Sequence, residues 1–290
     1  MQLNAQDWKT PTSQENGWEM DMPSELDKRK RNILLISEAA TYTVALVGLN
    51  QLWYAGYPKS DFHFINDNGE WLQMDKLGHM SSSYYTGVVG IKAYEWAGFS
   101  RKKAIWYGGM TGSLFLTIIE VLDGQSAEWG ASSGDLIANT TGSLLAIGQA
   151  LKWNEQRIQL KYSYSPTKFA ANNPELGESH LARALKDYNG QTYWMSFNLK
   201  SLMQIENENF PNWLSLALGY GATGMETPFA QDNNSDRERQ FLLSFDVDLN
   251  KIKTKNKALN AVLHTFGFLK FPAPAMQYTN GNISFYPIYY

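Results

Sequence analysis

Four long segments in the first half of the chain carry the spacing of apolar helices, and past residue 156 the pattern changes to strict alternation. The first segment, 27–54, opens on a basic cluster at Lys28 to Arg31 and has no charge from residue 39 to 58; Glu38 stands alone in this apolar context. Gly56-Tyr57-Pro58 stops it. The second segment, 75–97, places Asp75 and His79 four apart, hence on one helix face, which Ser83 and Gly87 continue. The third, 101–122, is uncharged over 104–119 and ends in Glu120 and Asp123. Its Gly108 and Gly112 form a small-xxx-small step that lets helices approach closely. The fourth, 133–153, puts Asp135, Asn139, Gly142 and Ala146 on one face.

From Arg157 the period is two. Ile158, Leu160, Tyr162 and Tyr164 alternate with polar residues, the signature of a half-buried strand. Further strands are expected at 192–199, 213–220, 241–250 and 283–290. Residues 268–271 are expected to be extended ahead of Pro272 and Pro274, and short helices are expected near 179–186 and 255–263. The fold class is therefore α+β: an extended polar arm at 1–27, a hydrophobic four-helix bundle at 28–155, and a mostly antiparallel β-rich region at 156–290. About six strands are too few for an ordinary membrane barrel, which takes about eight or more. The sheet is expected to pack on the helices or on a partner.

Composition narrows the chemistry. The 290 residues are 43% hydrophobic and 14% aromatic, with a net charge of −3. No long basic run offers a footprint for nucleic acid. The absence of cysteine excludes disulfides, thiolate nucleophiles and cysteine-ligated zinc. A bilayer span takes about 20 apolar residues. The second to fourth segments fall short of that in uncharged length, and mean hydropathy is −0.38. A compact bundle set partly into a membrane is preferred, with a fully soluble bundle as the alternative. Trp53, Tyr54, Trp96, Phe99 and Trp106 flank the inter-helix turns. They suit a membrane interface, with Arg101, Lys102 and Lys103 near headgroups, or else ordinary packing. The first residues lack a signal peptide's basic and long apolar regions, yet Ala5 followed by Gln6 looks like the end of one. Maturation after Ala5, with a start further upstream, is the expectation.

The second, third and fourth segments, packed in sequence, bring together the start of one, the end of the next and the start of the last. Asp75, Lys76, His79, Glu120, Asp123, Ser133, Asp135 and Asn139 would then form one buried polar cluster. Three readings follow. Lys76 and His79 neutralise the carboxylates and fix the register of the bundle. Or His79, Glu120, Asp123 and Asp135 hold a divalent metal. Or His79, oriented by Asp75, acts as a general base on a lipid-linked or cell-wall substrate. No cofactor is required by the sequence, and the divalent metal is the one candidate. His63, His180 and His264 stand alone.

Asp75-Lys76-x-x-His79, the acidic end at Glu120 and Asp123, and Ser133-x-Asp135-x-x-x-Asn139-x-x-Gly142 resemble the YfiM-like predicted periplasmic lipoproteins of unknown function, and more distantly VanZ-type membrane proteins. The resemblance covers about residues 30–153. The tract from Lys186 to Trp194 and the carboxy-terminal strands resemble a longer branch of the same family. It implies a place on the periplasmic side of the cell envelope and brings no activity; the lipoprotein cysteine is missing. The leading expectation is a non-enzymatic, membrane-associated envelope protein facing the periplasm. Its partners would be lipid and other envelope proteins, as an accessory subunit of an outer-membrane assembly or transport complex. A hydrolase or transferase using His79 and Asp75 is the alternative.

Overall fold

Asp27 opens the first long helix: its carboxylate accepts the backbone N–H groups of Arg29 and Lys30, two donors that a helix start leaves unpaired. In the computed structural model the described residues are 27–232 and 236–290. The expected arm up to residue 26 and the maturation point at Ala5 lie outside them. Helix α1 (Lys28–Leu49) runs on through a π-helical turn, Asn50–Tyr54. Glu38, isolated in the sequence, is hydrogen-bonded by the hydroxyls of Tyr42 and Tyr94, at 3.1 and 3.2 Å. The Tyr42 ring packs 4.7 Å from Phe115.

Helices α2 (Met74–Trp96), α3 (Arg101–Asp123, with a π-helical turn at Ala104–Gly108) and α4 (Ser133–Trp153) pack on one another. Tyr84, Ile91, Ile105, Ala146, Ile147 and Ala150 form their shared core. Their backbones touch at glycines. A Cβ on Gly112 would collide with the Ser83 carbonyl, and one on Gly142 with the Met80 carbonyl. That contact sets the Ser83 hydroxyl 2.5 Å from Asn139 O and 2.9 Å from the Ser143 hydroxyl.

The expected four-helix bundle is corrected by α1. Leu34 is its one buried residue, while Ile33, Leu35, Ile36, Val44 and Val47 are exposed. The apolar face of α1 is too broad for the narrow contact it makes, so three helices share the core and the fourth lies along them.

A two-residue parallel pair that the sequence did not suggest, β1 (Phe64–Ile65) with β2 (Ala131–Ser132), ties the α1–α2 connection to the start of α4. The second half is a six-stranded antiparallel sheet in the order β3 (Ile158–Tyr164), β4 (Gln191–Asn198), β5 (Leu214–Thr223), β6 (Glu238–Val247), β7 (Ala273–Thr279), β8 (Asn282–Tyr289). Strand β7 was not expected, because Pro272 and Pro274 hid it. Asn280 and Gly281, at φ 47° and 83°, make the tight turn into β8.

The sheet rolls up. Residues 268–270, just before β7, pair with the free edge of β3 through Tyr162 N to Phe268 O and Lys270 N to Tyr162 O. Its interior mixes charge with apolar groups: Lys161 Nζ lies 2.8 Å from Asp246, and Ser196, Ser244 and Lys270 are buried along with Trp194, Ala217 and Leu242. Its exterior is apolar. Met195, Leu218, Leu243, Met276 and Phe285 stand in one row across five strands, all exposed. Helix α2 packs on the roll: Tyr84 donates to Ile158 O, and the Tyr85 ring lies 5.4 Å from Phe268.

Gly142→Ala is expected to lower unfolding free energy by about 1–3 kcal/mol, because a methyl group has no room against the α2 backbone. Urea denaturation of the two proteins checks this.

Candidate functional site

The cluster sits where the three helices meet the sheet. The chain enters α2 through Trp71, Leu72 and Gln73, three consecutive left-handed residues at φ 46°, 49° and 66°. Each costs about 1–2 kcal/mol for an L-residue, so tertiary contacts must hold the turn. Tyr220 OH donates to Leu72 O at 2.6 Å, Trp71 N donates to Pro228 O at 3.1 Å, and the Trp71 ring packs 5.3 Å from Tyr188. The strained turn aims Asp75 and Lys76 inward.

Lys76 Nζ is the centre of the charge network, 2.6 Å from Asp67, 3.3 Å from Asp75 and 2.9 Å from Asp135. Ser132 joins the loop to the helices: its hydroxyl donates to Asp67 Oδ1 at 2.5 Å and accepts the Asp135 N–H, and its own N–H donates to Glu120 Oε2 at 2.9 Å. His79 Nδ1 lies 3.0 Å from Asn139 Oδ1 and 3.7 Å from Glu120 Oε1; Nε2 lies 3.9 Å from Asp75 Oδ1. Tyr188, from the sheet half, donates to Asp75 Oδ1 at 2.6 Å, and Tyr54 donates to Asp123 Oδ1 at 2.7 Å.

Burial sets the ionisation. It pushes Glu120 up to about 7 and Asp123 up to about 6. Burial and the neighbouring Asp75 carboxylate push Asp135 up to about 8. Burial works against the charge of His79, but Asp75, Asp135 and Glu120 outweigh it and hold the imidazole above its ordinary value. Burial likewise opposes the charge on Asp75, and His79 and Lys76 overcome it, keeping that carboxyl low.

The structure brings Asp75, Lys76, His79, Glu120, Asp135 and Asn139 together as the helix connectivity suggests. Three expectations are corrected. Ser133 is exposed; the neighbouring Ser132 caps the helix and is buried. Asp123 is turned to Tyr54, so the close carboxylate–imidazole group is Asp75, His79 and Asp135 rather than His79, Glu120, Asp123 and Asp135. Asp75 does not orient His79: 3.9 Å is too long for a hydrogen bond, Tyr188 and Lys76 take its oxygens, and Asn139 holds the ring. The general-base reading loses its orienting partner.

The aromatics divide as well. Tyr54 belongs to the network. Trp53 lies under Lys186 and Trp96 under Lys30, at 4.8 and 5.7 Å. Phe99 packs on Tyr94 and Tyr107, and Trp106 is exposed. Sequence reasoning missed Asp67, inside an Asp-Asn-Gly turn signal, and Tyr188, more than a hundred residues from its partner.

A carboxyl whose folded pKa is raised favours folding below its unfolded pKa and loses that contribution as pH rises through the folded value. For Glu120 the window runs from the ordinary 4.5 to about 7. Glu120→Gln should match the parent in unfolding free energy at pH 4 and exceed it at pH 8, in chelator-containing buffer. Urea denaturation at both pH values measures the crossover; equal curves at pH 8 would refute it.

Residues 62–149 match the model of a family described as Predicted periplasmic lipoprotein (DUF2279). No curated protein and no solved structure matches the chain. The matched stretch holds β1, α2, α3, most of α4 and every member of the cluster except Tyr54 and Tyr188, so the similarity is to the charged core of the helical half.

Proposed function

We propose that this is a non-enzymatic, membrane-associated protein of the cell envelope that faces the periplasm and seats its apolar exterior in lipid. One observation carries the reading: in both halves charged groups are buried while many large apolar side chains lie exposed. The helical half buries a network of carboxylates, Lys76 and His79, while Ile36, Val44, Leu114, Ile118, Ile137 and Leu144 are exposed. The sheet half buries Lys161, Asp246 and Lys270 and exposes the row from Met195 to Phe285. Monomeric soluble proteins rarely present apolar surface of this extent.

Charge adds direction. Lys28 to Arg31 at the start of α1, Arg101 to Lys103 at the start of α3 and Lys152 at the end of α4 all lie at the end of the helical half away from the cluster. The contacts of Lys30 with Trp96 and of Arg101 with Ala150 O bring these helix ends together. Such a basic rim suits anionic headgroups. The family match over residues 62–149 supports a periplasmic location. Strand β8 is exposed on both faces up to Tyr289, which packs on Trp194, and among the described residues no strand pairs with its outer edge. That edge suits strand addition by another envelope protein. An accessory subunit of an outer-membrane assembly or transport complex is the finer form of this reading.

Ile36, Val44 and Val47 are each more than half exposed on α1, at 69%, 73% and 58%. The purified chain should float with phosphatidylglycerol-containing vesicles and stay bound at high salt, where screened charges alone would release it. The variant carrying Ile36→Asp, Val44→Asp and Val47→Asp should sediment free while keeping the parent's circular dichroism. A parent chain that salt alone releases, or a variant that floats as well as the parent, would reject the proposal.

A further inference from the structure

We infer that Asp75, His79 and Asp135 form a binding site for one divalent first-row transition ion of the zinc or manganese type. Each offers a ligand atom, and these atoms lie within 4.8 Å of one another. The imidazole is set for the purpose. Asn139 Oδ1 can only accept, so Nδ1 carries a proton, and Nε2, which faces Asp75, is the nitrogen that would exchange its proton for the ion. The 3.9 Å from Nε2 to Asp75 Oδ1 is too long for a hydrogen bond. Two ligands on one tetrahedral ion with bonds of about 2.0–2.2 Å stand about 3.5 Å apart, so a small inward movement completes the pair.

A buried oxygen, that of Glu120, points to a cation, and Asp135 has room for a second one beside Lys76. Asp135 Oδ1 takes no hydrogen bond, although Lys76 lies 2.9 Å from it and bonds the sister oxygen. Glu120 Oε1, on a side chain 3% exposed, also takes none and faces the His79 ring. A buried carboxylate oxygen left without a partner costs about 1–3 kcal/mol or more. The charge count agrees: Asp67, Asp75, Glu120, Asp123 and Asp135 surround one lysine and one imidazole. Lys76 pairs with Asp67, Asp75 and Asp135 but does not reach Glu120, so carboxylates still outnumber the cations around His79.

The surrounding contacts are those a metal site needs. Asn139 fixes the His79 ring, Tyr188 holds Asp75, and Lys76 holds Asp135. Asp75, with a side chain 25% exposed, leaves a way in for the ion. One imidazole with two carboxylates suits zinc or manganese better than the all-oxygen shells of magnesium or calcium.

The test uses the full chain stripped with chelator and titrated with zinc chloride, manganese chloride or magnesium chloride. Calorimetry should show one equivalent of zinc or manganese bound, and magnesium bound at least about tenfold more weakly. In the parent chain labelled with 15N-histidine, zinc should shift the Nε2 resonance of His79 and leave His63, His180 and His264 in place. Asp135→Asn, with parent-like circular dichroism, should weaken zinc by at least about tenfold, as loss of groups at metal sites does. Absence of stoichiometric binding by the parent chain would overturn the inference. So would a shift on another histidine, or unchanged affinity in a folded Asp135→Asn protein. The nuclear resonance arm needs no variant, so a variant that fails to fold does not shield the inference.

Discussion

An ammonium group taken out of water costs several kcal/mol unless carboxylates meet it, and Lys76 imposes that requirement on the whole junction. Its three partners come from three places: Asp67 from the α1–α2 connection, Asp75 from its own helix and Asp135 from α4. Satisfying them pins the connection to α4, which the two-residue β1–β2 pair reinforces. It also requires the left-handed turn at Trp71–Gln73, which the sheet half clamps through Tyr220 and Tyr188. The charge network is therefore the joint between the helices and the sheet. Loss of any one carboxylate would leave the lysine with fewer partners in a site with little water.

The same network explains how the helices approach so closely. Glycines at 112 and 142 let α3 and α4 touch the α2 backbone, and the close contact places Ser83, Asn139 and Ser143 within hydrogen-bond range. Small residues and hydroxyls line this close contact, while Tyr84, Ile91, Ile105 and Ile147 fill the apolar core beside it. Leu114 and Ile118 of α3 and Ile137 and Leu144 of α4 are turned outward. In the sheet half, register does the equivalent work: with side chains alternating between faces, one set lines the Lys161–Asp246 interior and the other makes the exposed apolar row.

Five carboxylates beside one lysine and one histidine leave the junction with an excess of negative charge. Such a site answers in one of two ways, by taking up protons or by taking up a cation. Burial, helped by neighbouring carboxylates, raises Glu120 and Asp123 toward neutrality, while Glu120 Oε1, which takes no hydrogen bond, keeps acceptor capacity in reserve. A structural network and an ion site are thus compatible uses of the same residues: Lys76 locks the fold, and His79 with Asp75 and Asp135 forms the part that a cation would complete.

Local signals in the sequence determined the helices and most strands, because Gly, Pro and capping residues stop elements and periodicity identifies faces. Strand β7 was lost to Pro272 and Pro274, although Asn280-Gly281 carried the hairpin signal. Helix connectivity was enough to gather Asp75, Lys76, His79, Glu120, Asp135 and Asn139, since antiparallel neighbours bring one end to the next start. It was too coarse to choose Ser132 over Ser133, where a shift of one residue exchanges a buried cap for an exposed side chain. Only the tertiary structure decided the rest. Tyr188 reaches Asp75 across 113 positions, Asp67 arrives on a loop whose sequence reads as a turn, and α1 stays at the edge because the other three helices fill their own core. The roll of the sheet rests on one bridge between residues 268–270 and β3. These contacts join segments distant in sequence, and local periodicity and propensity carry no information about such pairs.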